Sequence, residues 1–312
     1  SGKSTLMRLI SGDEPLQSGA ITRVGALGIM RQFVGHMTDG TVRDLLLTVA
    51  PTGAETAKSD CPQLPTTLAE LVTAAQEAES AGAALVHVHI RDDDHQPTLD
   101  PGRLQETVAA LRENTALVIQ LSTGGSVHDP LESRLRVLDA APDSCSLTMG
   151  TVNFGDDVFM NPWPFIQDLF VLSQERQVVP EFELFDLGQV HALGRLLAKH
   201  GLPYGGKVHC DFVMGVPGGL PGTAQALVTA VAALPSGVTS WSATGVGRST
   251  LPVALAALSM GGHLRTGMED VLTLAKGVPV ERNAQLIERF ASLGHLAGRR
   301  PMTPDEAREL LS

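Results

Sequence analysis

Cysteine is scarce in this chain: Cys61, Cys145 and Cys210 are the three in 312 residues, and they lie far apart. Such spacing excludes a disulfide framework and fits a reducing compartment. Positive charge is also short. Twenty-three Lys and Arg against 34 Asp and Glu leave a net charge of −11, so neither nucleic acid nor an anionic membrane surface is expected as a partner. No apolar run reaches transmembrane length and no signal-peptide pattern opens the chain, so a cytoplasmic protein is expected. The dinucleotide fingerprint G-x-G-x-x-G does not follow the first strand pattern, which weighs against a Rossmann fold. What is abundant is glycine and proline, 32 and 19 residues, in a chain 43% hydrophobic and 18% charged. That is a turn-rich globular composition, long enough for one large α/β barrel or two ordinary domains.

The first residues, Ser1 to Gly12, resemble the end of a phosphate-binding P-loop running into its helix, with Lys3 placed for phosphate and Ser4 for Mg²⁺. With Gly28–Phe33, which puts Gln32 where a glutamine loop would be, residues 1–48 resemble part of an ABC-F-type ATPase. The strand and glycines that complete such a cradle do not precede Lys3, and neither an LSGGQ signature nor a Walker B strand follows. Residues 1–44 are therefore expected to be a non-functional, loosely packed N-terminal extension to a catalytic domain over 45–312.

From Asp44 onward the pattern becomes regular. Strand runs at 45–50, 85–91, 115–121, 145–149, 178–184, 207–214, 238–242 and 262–267 alternate with helical spacing at 67–82, 100–113, 129–140, 163–176, 187–199, 222–233, 248–260 and 280–295, and a last helix covers 303–311. Eight such units predict an α/β fold of the (β/α)₈ TIM-barrel type. In a barrel the C-terminal ends of all strands open on one face, and each polar cluster in this region sits at such an end.

The run from Leu85 to Asp92 sets His87 and His89 two residues apart among apolar, β-branched neighbours. Side chains at i and i+2 of a strand share a face with Cα atoms roughly 6.6 Å apart, so two imidazoles can meet one metal ion. Two core histidines bonded to backbone would read the same way. Along the last strand Arg265, Gly267 and Glu269 share a face by period two, with Asp270 next. Glu269 would then complete a two-histidine, one-carboxylate zinc site with an open position, as catalytic zinc requires.

Six runs in order, TVAPTGAET (48–56), VHVHIRD (86–92), QLSTGG (120–125), SLTMGTVNFG (146–155), PEFELFD (180–186) and GHLRTGMED (262–270), resemble the β-keto acid cleavage enzymes, the family of 3-keto-5-aminohexanoate cleavage enzyme. The resemblance extends from about residue 45 to the C-terminus. It implies a zinc-dependent barrel, as a homotetramer, that converts a β-keto acid and acetyl-CoA into acetoacetate and a new CoA thioester. By motif, His87, His89 and Glu269 are the implied zinc ligands. Asp270 is the implied general base, oriented and kept ionised by Arg265. Glu55, Ser122, Thr148 and Glu183 would line the substrate pocket, although Thr148 stands where the family pattern has asparagine. Glu183 suits a cationic substrate group or, equally, a scaffold role.

The implied chemistry explains those residue types. A β-keto acid chelates zinc, Asp270 removes a proton from the carbon between the carbonyls, the enolate attacks acetyl-CoA, and retro-Claisen cleavage follows CoA migration. Coenzyme A needs phosphate contacts, for which Gly218, Gly219 and Arg248 are candidates in loops after the sixth and seventh strands. Those loops could equally be tight β–α turns. His209 reads as a core or supporting histidine. Two other classes compete: a zinc hydrolase of the amidohydrolase kind, and a non-enzymatic nucleotide-binding protein organised by residues 1–48. The first needs its histidine pair on the first strand and a ligand from the fifth, and the run at 180–185 has no histidine.

Overall fold

The computed structural model describes residues 44–312. The P-loop-like residues Lys3, Ser4 and Gln32 lie outside them. Eight parallel strands, β1 (Leu47–Val49), β2 (Leu85–Val88), β3 (Val118–Leu121), β4 (Ser144–Thr148), β5 (Val179–Leu184), β6 (Val208–Met214), β7 (Val238–Gly245) and β8 (His263–Thr266), pair in sequence order and close between β8 and β1. The helices between them are α1 (Leu68–Ser80), α2 (Pro101–Asn114), α3 (Leu131–Leu135), α4 (Trp163–Arg176), α5 (Leu187–His200), α6 (Ala224–Ala232) and α7 (Thr250–Ser259), followed by α8 (Asn283–Leu296) and α9 (Pro304–Leu311). The predicted TIM barrel is the observed fold.

Local chemistry starts these helices where the sequence places them. Thr67 and Glu70 form a reciprocal capping box on α1, and the Asp100 carboxylate accepts the Arg103 N–H at 2.9 Å ahead of Pro101 on α2. Asp186, Thr223 and Thr303 cap α5, α6 and α9 in the same way. The third helix departs from expectation. It is α-helical only to Leu135, continues as a 3₁₀ turn over Arg136–Ala140, and stops at Ala141 with φ 51°. Pro142 follows, and its ring denies the preceding residue the right-handed helical region.

The main apolar core lies between strands and helices, where outward-facing Val86, Ile119, Leu147, Phe182, Phe212 and Leu264 are almost wholly buried. Inside the barrel the character changes with height. At the bottom Leu46, Leu85, Val118 and Val179 pack on Ala307 and Leu311 of α9, so the last helix plugs the barrel. Above that layer the interior is polar: Thr48, His87, Gln120, Ser144, Glu181, His209, Asp211, Ser242, Thr244, His263 and Arg265 are all buried. A polar interior is costly unless its groups are paired, so its retention marks this end of the barrel as functional.

Closure at the β8–β1 seam depends on one glycine. A Cβ on Gly267 would lie 1.8 Å from the Ala50 carbonyl oxygen, an overlap no rotamer relieves. Gly267→Ala should therefore destabilise the fold by about 3 kcal/mol, lowering the thermal midpoint by several degrees. An unchanged melting curve would contradict this account of the seam.

Candidate active site

The strand register brings the candidate groups together. His87 lies opposite Gln120 across β2 and β3, and Arg265 lies between Thr48 of β1 and Thr244 of β7. His87 and His89 point up the same face with ring centroids 5.3 Å apart. Glu269 reaches both, its carboxylate oxygens 3.9 Å from His87 Nε2 and 3.8 Å from His89 Nε2. The period-two argument for Glu269 does not hold. β8 ends at Thr266, and the chain turns so that the Asp270 and Val271 N–H groups both donate to the Gly267 carbonyl. It is this turn, docked by the Glu269 N–H on the Ala50 carbonyl, that swings Glu269 over the histidines. Gly53 leaves it room, since a Cβ there would sit 2.6 Å from Glu269 Cγ.

One arginine organises the acids. Arg265, 3% exposed, donates to Glu183 Oε1 at 3.2 Å, to Asp270 Oδ1 at 3.2 Å and Oδ2 at 3.4 Å, and to Glu269 Oε1. Thr148 Oγ1 in turn donates to Glu183 Oε2 at 2.8 Å. Burial opposes the guanidinium charge, but Asp270, Glu269 and Glu183 together hold its pKa well above the ordinary value. Arg265 does act to lower the Asp270 pKa, as the sequence leads one to expect, but it does not by itself keep the carboxylate ionised. Burial outweighs the arginine and raises Asp270 to about 7, with Glu269 adding to the rise. Glu183 goes to about 7 for the same reason, moderated by Arg265 and Thr148.

The histidines are shifted the other way. Burial, reinforced by Arg265, takes His87 well below its usual value and His89 down to about 3, so both imidazoles are neutral near pH 7 and carry a free lone pair. His87 Nδ1 is engaged by Gln120 Oε1 at 2.5 Å, leaving Nε2 for another partner. Glu269 Oε2 is buried without any hydrogen bond. Ligand atoms of the three residues all lie within 4.8 Å of one another. An orphaned carboxylate oxygen beside two lone-pair nitrogens is a donor set that suits one divalent cation such as zinc.

A cavity of about 480 Å³ opens above these groups. His87, His89, Ser122, Glu183, Arg265, Glu269 and Asp270 form its inner end, and Glu55 stands exposed at the rim. The Ser122 hydroxyl accepts the Gly124 N–H at 3.1 Å. Thr148 is not on the cavity wall; it lies behind Glu183. Gly218, Gly219 and Arg248 are not on it either. A Cβ on Gly218 would lie 2.0 Å from the Asn153 carbonyl oxygen, and one on Gly219 would lie 2.9 Å from that of Phe185, so close backbone packing accounts for both glycines. Arg248 is exposed beside the mouth loop after β7. His209 is a supporting core residue, bonded to Ser240 at 2.7 Å and 3.4 Å from Glu181.

Sequence reasoning missed the hairpin of Val152–Phe154 and Asp157–Phe159, which supplies Phe154, Asp156, Asp157 and Phe159 to the cavity. Its signal was present in the alternating run around Gly155-Asp156, a two-residue turn pair. Arg134 was missed as well. Buried between the Phe159 and Phe165 rings, it donates to the Thr123 and Met160 carbonyls and so ties the Ser122 loop to the hairpin's base.

A model of the family described as "BKACE: beta-keto acid cleavage enzyme" matches residues 44–312. The chain belongs to the β-keto acid cleavage enzymes. It is therefore an enzyme, and the family's curated members set the range of similarity. The 3-keto-5-aminohexanoate cleavage enzyme of Fusobacterium nucleatum is 38% identical over 270 residues, 86% of this chain and 97% of that one. The 3-oxoadipate:acetyl-CoA acetyltransferase of Cupriavidus necator is 34% identical over 269 residues, 85% and 94% of the two chains. Among solved structures, apo ObcA superposes with a TM-score of 0.68 at 20% identity, over 80% of this chain and 65% of that one. At that identity the likeness bears on the fold alone, and this member of the family spans less than two thirds of the ObcA chain.

Proposed function

We propose that this enzyme transfers an acyl group from a β-keto acid to coenzyme A at the expense of acetyl-CoA, releasing acetoacetate, and that it works with a zinc ion held by His87, His89 and Glu269. The observation that carries the reading is the shared arginine. The same guanidinium holds a carboxylate facing the histidine pair and, one residue on, a second carboxylate facing the cavity. The chemistry a zinc ion supplies when bound there is Lewis-acid polarisation of the β-keto acid.

Asp270 is the proton acceptor. Its carboxylate takes a proton from the carbon between keto and carboxylate groups, and a pKa raised to about 7 suits a group that must also return it. The carbanion electrons form a bond to the acetyl carbonyl carbon, and coenzyme A leaves as the thiolate. That thiolate then adds to the original keto carbon. The bond between this carbon and the old α-carbon breaks, giving acetoacetate and the new thioester with atoms balanced. Ser122, whose oxygen already accepts the Gly124 N–H, still has its own O–H to donate to a substrate oxygen. Phe154, Phe159, Phe185, Val213 and Val216 line the outer cavity and keep water from the carbanion. Glu183 has its carboxylate committed to Arg265 and Thr148, which favours the scaffold role over direct capture of a cationic substrate group. Glu55, free at the rim, is the candidate for that task. Arg248, exposed and outside the cavity, remains the candidate phosphate contact.

Acetyl-CoA offered with a panel of β-keto acids should yield acetoacetate only when both are present. Exhaustive chelation should lower turnover at least ~100-fold, and zinc should restore it. Cleavage of the β-keto acid to acetate and the free acid without acetyl-CoA would overturn the reading in favour of simple hydrolysis. Light scattering tests the expected homotetramer, which requires four times the 32.9 kDa chain mass.

A further inference from the structure

We infer that Gln120 is a positioning residue that fixes which nitrogen of His87 faces the metal, an inference that rests on the metal site proposed above. Gln120 is wholly buried in β3, with no exposed surface, directly opposite His87 on β2 and Ser144 on β4. Its amide spans that gap. Nε2 donates to Ser144 Oγ at 3.1 Å, and Oε1 meets His87 Nδ1 at 2.5 Å. With the NH₂ group donating toward β4, the group facing β2 is an oxygen. An oxygen acceptor can be met only by an N–H, so His87 carries its proton on Nδ1 and presents a bare lone pair on Nε2. That lone pair points to the side of the ring where Glu269 Oε2 lies 3.9 Å away.

The arrangement settles a choice the imidazole leaves open. A neutral histidine exchanges between two tautomers, and only one of them can ligate through Nε2. An outer partner that accepts the Nδ1 proton removes the wrong tautomer and restrains ring rotation, and losing such a partner typically costs 10–100-fold in metal affinity. The three side chains come from consecutive strands at adjacent register positions, so the barrel backbone itself holds the chain Ser144–Gln120–His87 in line. Glutamine rather than a carboxylate does this at a depth where Glu181 and Glu183 already burden the interior with acid.

The test is zinc affinity of the full chain after chelation, measured by competition with a chromogenic chelator. Gln120→Met keeps the length and removes the amide; Gln120→Glu keeps an acceptor oxygen. Gln120→Met should bind zinc 10–100-fold more weakly, with Gln120→Glu within a few fold of the parent. Both apo variants should keep the parent's circular dichroism. Wild-type affinity in Gln120→Met, or equal losses in both variants, would overturn the positioning role. His87→Ala and Glu269→Gln serve as the separate arm, and unchanged zinc affinity in them would bring down the metal site itself. A readout free of any variant is the nitrogen spectrum of the ¹⁵N-histidine-labelled wild-type chain, in which the His87 signal must be that of an Nδ1–H tautomer. An Nε2–H signal would refute the inference even if Gln120→Met failed to fold.

Discussion

Asp270→Asn is expected to lower turnover by about 10³-fold while leaving the metal bound. The substitution is almost isosteric, and the amide oxygen can still accept from Arg265, which currently spans both carboxylate oxygens at 3.2 and 3.4 Å. Nothing in it disturbs His87, His89 or Glu269, so zinc content should be unchanged. What is lost is the group proposed to accept the substrate's proton, and a positioned base contributes about 10²–10⁴-fold. Because burial already works against the Asp270 charge, the neutral variant should be no less stable than the parent. The measurements are turnover at saturating acetyl-CoA, metal content, and thermal midpoint. Turnover within tenfold of the parent would remove Asp270 from the chemistry.

Arg265→Leu should be the most damaging single change to stability. The side chain is buried, and Glu183, Glu269 and Asp270 all bond to it. Removing one member of a buried ion-pair cluster leaves the remaining charges uncompensated and costs about 3–5 kcal/mol. The pH dependence has a definite sign. Glu183 and Asp270 already titrate near 7 in the folded protein, above the roughly 4 of an unfolded chain, and loss of the arginine must raise them further. Groups with raised folded pKa values contribute stability that is intact below the unfolded value and lost as pH climbs through the folded one. The deficit of Arg265→Leu should therefore stay small and nearly flat from pH 4 to about 6 and grow as pH rises through 7 toward 8. Denaturant midpoints across that range decide the matter. A deficit that shrinks with rising pH would mean the guanidinium is not what holds these acids.

The site's residues were readable in the chain because barrel topology converts linear order into a ring. Any polar run that ends a strand must reach the same mouth, whatever the intervening helices contain. His87 and His89 were visible by period two, and their rings do share a face, with His87 inside β2 and His89 one residue past its end at Val88. The same rule applied to Glu269 does not describe how that carboxylate comes to face the histidines. β8 stops at Thr266, and what places Glu269 is a turn docked on Ala50 from β1. Gly218 and Gly219 were misleading, because a glycine that lets backbone approach a phosphate looks the same as one that lets it approach Asn153 or Phe185.

By itself the sequence determined the alternation of strands and helices, hence the barrel, and which polar runs end its strands, because both follow from periodicity and residue type. Only the tertiary structure decided how those side chains balance one another. Arg265 alone would depress an aspartate's pKa, yet desolvation of Asp270 exceeds that attraction, and desolvation belongs to the packed barrel rather than to either residue. The tertiary structure likewise decided that Thr148 serves Glu183 and that Gln120 serves His87. Those pairings arise from side-by-side register across neighbouring strands, at 35 and 33 residues' separation along the chain.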